Sequence, residues 1–260
     1  MRSAWYEFAI DEGDSIAGHA RVWGSPGEGA RTAGMLRMFW PVLVLTALIG
    51  FVLGGATSLL RGLPMAAFGL ALLVLAALMG WVIQRCRKGY ALFLKGARGE
   101  EQVARILGYL PMGNYVFHSL QLAQSTGQGA GDFDHVVVGP GGVFVIETKN
   151  WSGEIDIMDG KIFVDGEATS FSPLEQVKRN GDLLAEWVRE REKVTPDVHR
   201  VLCFVSSELP GGSKVVDNVT VCGGQSLLDV LNKGDKPGAG LDGVHTRVLH
   251  ALQAQMKRSD

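Results

Sequence analysis

Asp134, Glu147 and Lys149 are the residues whose types and spacing could do chemistry. They lie within Gly131 to Asn150, GDFDHVVVGPGGVFVIETKN, two short runs rich in Val, Ile and Phe joined by Gly139-Pro140-Gly141-Gly142. That is the composition of a β-hairpin with a four-residue loop. If the loop closes symmetrically, Val138 faces Val143. Asp134 then falls directly opposite Glu147, and Asp132 opposite Lys149. Side chains alternate across a strand, so these four share a face with Val136, Val138, Val143 and Val145. Phe133, His135, Val137, Phe144, Ile146 and Thr148 take the other. A one-residue bulge at the loop would undo this register.

Both faces are apolar over most of their length, which suits a strand pair buried inside a sheet. Two carboxylates opposed across a ladder repel and call for a compensating cation. A hard divalent ion bridging Asp134 and Glu147 meets that need, because Mg²⁺ takes one or two carboxylates together with water and phosphate oxygens. The alternative is a strand end at the surface, with solvated acids and Lys149 as a loose salt-bridge partner. Spacing alone leaves both open. His135 points to the opposite face and reads as a packed core histidine rather than a ligand.

The elements that must position these groups surround the hairpin. Ala97 to Leu110 has helical periodicity, with Val103, Leu107 and Leu110 at i, i+4 and i+7. Glu100 falls on that apolar stripe, and Glu101 pairs outward with Arg105. Glu100 either complements the dipole near a helix start or reaches the carboxylate site. A loop ending in Gln121 to Ala130 precedes the hairpin. A second hairpin follows, Glu154 to Met158 and Lys161 to Val164 around Asp159-Gly160. Ser172-Pro173-Leu174-Glu175 is a helix start with Ser as N-cap and Glu closing a capping box. That helix runs to about Glu192, with Leu174, Val177, Leu184, Trp187 and Val188 inward. Val198 to Ser206 reads as a buried strand, Val215 to Cys222 as an edge strand, and Leu227 to Leu231 and Val244 to Met256 as helices. Hairpin, helix and returning strand predict an α/β fold, a mixed sheet with a crossover.

The chain has 260 residues and a formal net charge of −2, so no global polarity points to nucleic acid. From Gly89 onward, 17 basic residues face 22 acidic ones, a net of −5. Cys86, Cys203 and Cys222 show no metal-ligand spacing and read as free thiols. Met38 to Leu60 and Gly62 to Gln84 carry no charge, and each is long enough to cross a bilayer as a helix. Arg61 alone separates them, which predicts a transmembrane hairpin. Gly50 and Gly54, with Ala76 and Gly80, offer small-residue spacings for close helix packing. Arg31 and Arg37 before the first span, and Arg85, Arg87 and Lys88 after the second, place both termini in the cytoplasm. Trp40 and Trp81 then mark one interface. The expected organisation is an N-terminal cytoplasmic arm over 1–36, a transmembrane helical hairpin over 37–85, a basic linker over 86–94, and an α/β domain with C-terminal helices over 95–260.

Taken in order, Gly96-x-x-Gly99-Glu100-x-x-Val103, Asp134-His135-Val136-Val137-Val138, Gly142 to Asn150 with Gly153, and Pro173-Leu174-x-Gln176 resemble the nuclease-related domain. That family belongs to the restriction-endonuclease-like superfamily by its Asp…Glu-x-Lys signature. The resemblance covers about residues 95 to 210, and a hydrophobic hairpin often precedes the domain in bacterial members. It implies a restriction-endonuclease-like mixed sheet flanked by helices, and a metal-dependent nuclease site. Asp134 and Glu147 would ligate Mg²⁺, or Mn²⁺ in its place. Lys149 would orient the attacking water and stabilise phosphate charge. Glu100 would match the acid from the first helix, and Gln176 the polar residue on the later helix. Ser172 stands where Asn often precedes the Pro.

Two functions from different classes follow. One is a membrane-anchored, divalent-metal-dependent nuclease at the inner membrane, facing the cytoplasm and acting on DNA rather than RNA, with a homo-oligomer as a further expectation. The other is a non-catalytic membrane-tethered module that binds nucleic acid or protein through the same fold. Every group needed for catalysis is present, which favours the enzyme. The acidic domain favours a narrow substrate or weak affinity. Lys178, Arg179, Arg189 and Arg191 could form a local phosphate-binding patch, or a solvated face mixed with Glu186, Glu190 and Glu192. Two spans without internal charge offer no ion path of their own, which argues against a transporter.

Overall fold

A computed structural model describes residues 19–56, 65–122, 131–158, 160–169, 172–207, 209–233 and 240–259. The acidic cluster at 11–14, Arg61 and Asp159 lie outside them. The chain divides into two compact units, one formed by Met1–Gly27 with Arg98–Asp260 and the other by Glu28–Ala97.

The first unit is built on a seven-stranded mixed sheet in the order β1-β2-β3-β4-β8-β10-β9. Its strands are β1 (Arg21–Trp23), β2 (Tyr115–Leu122), β3 (Gly131–Gly139), β4 (Gly142–Lys149), β8 (Val198–Phe204), β9 (Ser213–Val216) and β10 (Val219–Gly223). A separate three-stranded sheet holds β5 (Ile155–Met158), β6 (Lys161–Val164) and β7 (Glu167–Ala168). Central β3 and β4 pair antiparallel, β4 runs parallel to β8, and β8 parallel to β10. The helix α3 (Pro173–Glu192) lies between β4 and β8 in sequence and makes the crossover. Ser172 caps it by accepting from the Glu175 N–H at 3.4 Å. The other half of the expected capping box does not form, because the Glu175 carboxylate accepts from Lys178 instead. Leu174, Val177, Leu184, Trp187 and Val188 are buried, as their periodicity predicts.

Two apolar clusters line the two faces of the sheet. Val136, Val138, Val143 and Val145 join the α3 residues on one, while Val137, Phe144 and Ile146 join Val103, Leu107 and Leu110 on the other. The predicted faces hold, except that Phe133 packs with the first cluster. The β2–β3 ladder pairs His118 with His135 and Leu120 with Phe133, and skips Ser119 and Asp134 between them. Ser119 has φ +47°, so strict alternation breaks there.

Several boundaries differ from the sequence reading. The hairpin strands extend to a Gly139–Gly142 pair, so the loop is the two-residue Pro140-Gly141. The stretch read as one edge strand is a hairpin, β9 and β10, turned at Asp217 and Asn218 with φ +48° and +64°. Asp and Asn tolerate positive φ and fit such a turn. Within the segment read as an arm, Arg21–Trp23 forms β1, parallel to β2. The C-terminal helices are α4 (Leu227–Asn232) and α5 (Gly243–Ser259).

The second unit holds α1 (Glu28–Ala56) and the first part of α2 (Met65–Leu107). The segment read as a linker over 86–94 is helical, and α2 continues without interruption into the helix expected from Ala97. Among the described residues one helix segment, Glu28–Phe51, is long and apolar enough to cross a membrane, and little of it is buried. Among the described residues no second such segment is found, so the hairpin with a span over 62–84 is not confirmed. Trp40 and Trp81 are exposed. Among the described residues, a Cβ added at Gly50 or Gly80 would meet nothing within 4 Å, so no close packing is seen at those two positions. The close approach comes instead at Gly34, whose added Cβ would lie 2.8 Å from the Phe93 Cβ.

Candidate functional site

The β3–β4 ladder follows the predicted register from Gly139–Gly142 to His135–Ile146 and stops there. Asp134 and Glu147 are next in that register, as Asp132 and Lys149 are two steps on, but neither is a ladder pair. β4 continues alone along β8 through Lys149. Its Thr148 N–H, facing the missing partner, donates to Asp134 Oδ2 at 2.7 Å. Asp134 is thereby fixed against the backbone link between Glu147 and Lys149.

Glu147 is 2% exposed, which decides against the solvated strand end. Lys149 Nζ donates to Glu147 Oε1 at 2.6 Å and to Gln176 Oε1 at 3.1 Å. Lys149 is therefore a held group with two named partners, not a loose one. The other Glu147 oxygen, Oε2, accepts from Asn180 Nδ2 at 3.4 Å, and Asn180 also donates to the Asp132 carbonyl at 3.3 Å. Gln176 and Asn180 lie at i and i+4 on α3 and reach the site from one helix face. Asn180, 3% exposed, escaped the sequence reading, and its spacing from Gln176 was the available signal.

Glu100 approaches on α2. It sits deep inside a continuous helix that begins at Met65, so the dipole explanation fails for it. Its Oε2 accepts from the Gly27 N–H at 3.0 Å. Gly99 permits the close approach beside it: a Cβ there would lie 2.6 Å from the Asn150 Cβ.

Burial pushes the carboxyls at this site upward. Glu100 rises to about 7, through burial opposed by the Gly27 amide and reinforced by Asp132 and Glu147, with Lys149 pulling the other way. Asp134 stands well above the usual carboxylate range, first through burial and then through the charges of Glu147 and Glu100. Glu147 is raised by burial against the opposing pull of Lys149. Asp132, which had no assigned role, is raised by burial and acts on both glutamates. Among the described residues, Lys149 and the influence of Arg179 on Glu147 do not neutralise these four acids, so the site is short of positive charge.

Among the described residues, no three His, Cys, Asp or Glu side chains form a group that could hold a metal by themselves. Asp134 and Glu147 offer hard oxygen donors, and a Mg²⁺ ion completes its shell with water and phosphate oxygens. The donor chemistry fits a hard divalent ion. It does not make a closed protein cage.

His135 is fully buried, and its Nδ1 lies 2.7 Å from Nδ1 of His118 on β2. Burial lowers His118 to about 4 and His135 well below the usual histidine range. Both are neutral core groups. The basic patch proposed on α3 dissolves into local partners: Lys178 binds Glu175 and Asp217, Arg189 binds Glu186, and Arg191 stacks on Trp187. Arg179 is the exception, lowering the Glu147 carboxyl from outside.

An α/β domain with a mixed sheet flanked by helices, carrying a carboxylate–lysine centre where a central strand pair ends, is consistent with a nuclease-like fold. Residues 95–205 match the family described as the nuclease-related domain, which supports that family for this segment and points to a nuclease-related, nucleic-acid-binding function. An uncharacterized protein of Bacillus anthracis is 42% identical over 62 residues, covering 24% of this chain and 29% of that relative. The chain thus spans less than a third of the relative's length. No solved structure matches.

Proposed function

We propose that the protein is a membrane-anchored, divalent-metal-dependent nuclease that hydrolyses phosphodiester bonds, with DNA as the substrate. The observation that carries this reading is the buried Glu147–Lys149 pair, clamped by Gln176 and Asn180, with Asp134 bonded to the backbone between them. Asp134 and Glu147 would hold Mg²⁺, or Mn²⁺ in its place. Bound there, such an ion would supply phosphate neutralisation and a more acidic water.

The chain's own residues supply the rest. Gln176 and Glu147 hold the Lys149 ammonium, which would contact the attacking water and a phosphate oxygen of the substrate. Asn180 holds the second Glu147 oxygen, so the carboxylate cannot swing away. Glu100 acts electrostatically on the same acids and adds a carboxyl whose charge depends on pH near neutrality.

The apolar segment Glu28–Phe51 supports membrane anchoring. A second span over 62–84, cytoplasmic termini at the inner membrane and a homo-oligomeric state belong to the same reading. The second reading is the non-catalytic module on the same fold, and the net acidity of the domain favours a narrow substrate or weak affinity for nucleic acid in either case. Cleavage of plasmid and single-stranded DNA by the purified full chain, with and without Mg²⁺, separates the two. The enzyme reading requires metal-dependent cleavage that Glu147→Ala and Lys149→Ala abolish. Undiminished cleavage in both variants would remove this site as the catalyst, and no cleavage with tight DNA binding would favour the module.

A further inference from the structure

Residues 20 to 27 precede the membrane-apolar helix and lie far outside the segment matched by the family. They are nonetheless bound into the nuclease-like unit. Ala20 N–H donates to the Leu110 carbonyl at 2.9 Å and Arg21 N–H to the Asn114 carbonyl at 3.1 Å. β1 then pairs with β2, and Trp23 stacks on Phe117 at 5.1 Å between ring centroids. Gly24 has φ +80°, and an added Cβ would lie 2.3 Å from the His118 carbonyl oxygen. The Ser25 carbonyl accepts from the Ser119 hydroxyl at 2.8 Å. Ser119 occupies the same gap in the β2–β3 ladder as Asp134. Two residues later the buried Gly27 N–H donates to Glu100.

We infer that residues 24–27 are a positioning strap for the candidate metal centre, in which the Gly27 amide holds the Glu100 carboxylate in place. This deepens the nuclease reading and rests on it for the role of Glu100. The strap is tied at two points, to Ser119, which falls in the same ladder gap as Asp134, and to Glu100. A backbone donor is well suited to the task. It gives an acid an ionic hydrogen bond without adding a cation that would compete with the metal. The chain enters α1 at Glu28, the next residue, so the strap is also the covalent link to the apolar helix. A fragment starting at 95 contains the whole family-matched segment but lacks the partner of Glu100.

The test uses the full chain in detergent. Replacing the Gly27 amide by an ester, through glycolic acid at that position, removes the donor and leaves the side-chain contacts intact. Mn²⁺ affinity is read from the electron paramagnetic resonance of the bound ion, in the wild-type and Glu100→Ala backgrounds. The ester should weaken Mn²⁺ binding roughly tenfold in the wild-type background, the worth of one hydrogen bond to a charged group, and change nothing further in Glu100→Ala. Ser119→Ala, which frees the strap at its other tie, should weaken it in the same direction. Hydrogen exchange at the Gly27 amide should quicken in Glu100→Ala. Unchanged Mn²⁺ affinity in the ester variant, an equal loss in both backgrounds, or unchanged Gly27 exchange would overturn the inference. A wild-type chain that binds Mn²⁺ but never cleaves DNA would sink the nuclease reading, and the affinity cycle would still decide the strap. A chain that binds no Mn²⁺ would overturn both.

Discussion

Replacing Glu100 by Gln should make the metal-free protein more stable at alkaline pH while weakening its function. Glu100 is raised from 4.5 to about 7 by burial and by neighbouring acids. A carboxyl with a raised folded-state pKa is ionised more readily in the unfolded chain, so it destabilises the fold once the solution passes its unfolded pKa. The penalty is absent below pH 4.5, grows between 4.5 and 7, and is complete by about pH 8. At roughly 1.36 kcal/mol per unit, a shift of this size corresponds to about 3 kcal/mol, an upper figure because the group is partly open to solvent. Gln removes the charge and keeps an acceptor for the Gly27 N–H. For a unit of this size, each kcal/mol moves the melting temperature by roughly 2–4 °C. Thermal unfolding of the full chain in detergent, followed by tryptophan fluorescence, should therefore show Glu100→Gln melting up to about 10 °C higher at pH 8 and level with wild type near pH 4. Saturating Mg²⁺ should erase the advantage by stabilising wild type. A variant no more stable at pH 8, or equally stabilised at pH 4, would refute the account of a site short of positive charge.

Metal binding should release protons, because Glu100, Asp134 and Glu147 all bind protons more readily here than in water. Mg²⁺ affinity should accordingly rise from pH 6 to pH 8, and titration calorimetry in buffers of different ionisation enthalpy should detect the release; pH-independent binding would contradict it. Asn180→Ala strips a donor from Glu147 Oε2 and the Asp132 carbonyl and should cost about 1–3 kcal/mol in urea unfolding. Gly99→Ala places a methyl 2.6 Å from the Asn150 Cβ and should destabilise by about 1–3 kcal/mol through overpacking. A melting temperature equal to wild type would show that α2 yields there freely.

The central hairpin was legible because both its faces are apolar and a Gly-Pro-Gly-Gly run separates them. Its register followed from symmetry alone and holds for every recorded pair. β2 was not legible, since His118, Ser119 and Gln121 interrupt its alternation and Ser119 takes a positive φ that no pattern announces. β1 has three residues and pairs with a strand more than ninety positions away, a contact that local sequence does not encode. Glu100 was placed near a helix start because the basic stretch before it looked like a linker. Its Arg, Lys, Ala and Leu residues are good helix formers, and the helix runs through them. The basic stretch is helical, while the division between the two compact units falls close by, at Ala97 and Arg98.

The site exists because the ladder ends early on one side of β4 and not on the other. β8 holds β4 in register through Lys149, while β3 releases it after Ile146. That leaves the Thr148 N–H without a strand partner in an interior where an unpaired donor is costly. Asp134 meets this need with its side chain, and in doing so its carboxylate is brought beside Glu147. The acid is thus recruited by the backbone before any ion is considered, and its repulsion with Glu147 is a consequence of the fold that a cation can relieve. If that is the cause, Asp134→Asn should keep the Thr148 contact through its amide oxygen and preserve stability without metal. Asp134→Ala should lose about 1–3 kcal/mol for the orphaned N–H. Urea unfolding of the two variants in chelator tests the difference, and equal losses would show that the charge of Asp134, not its bond to β4, sets its place.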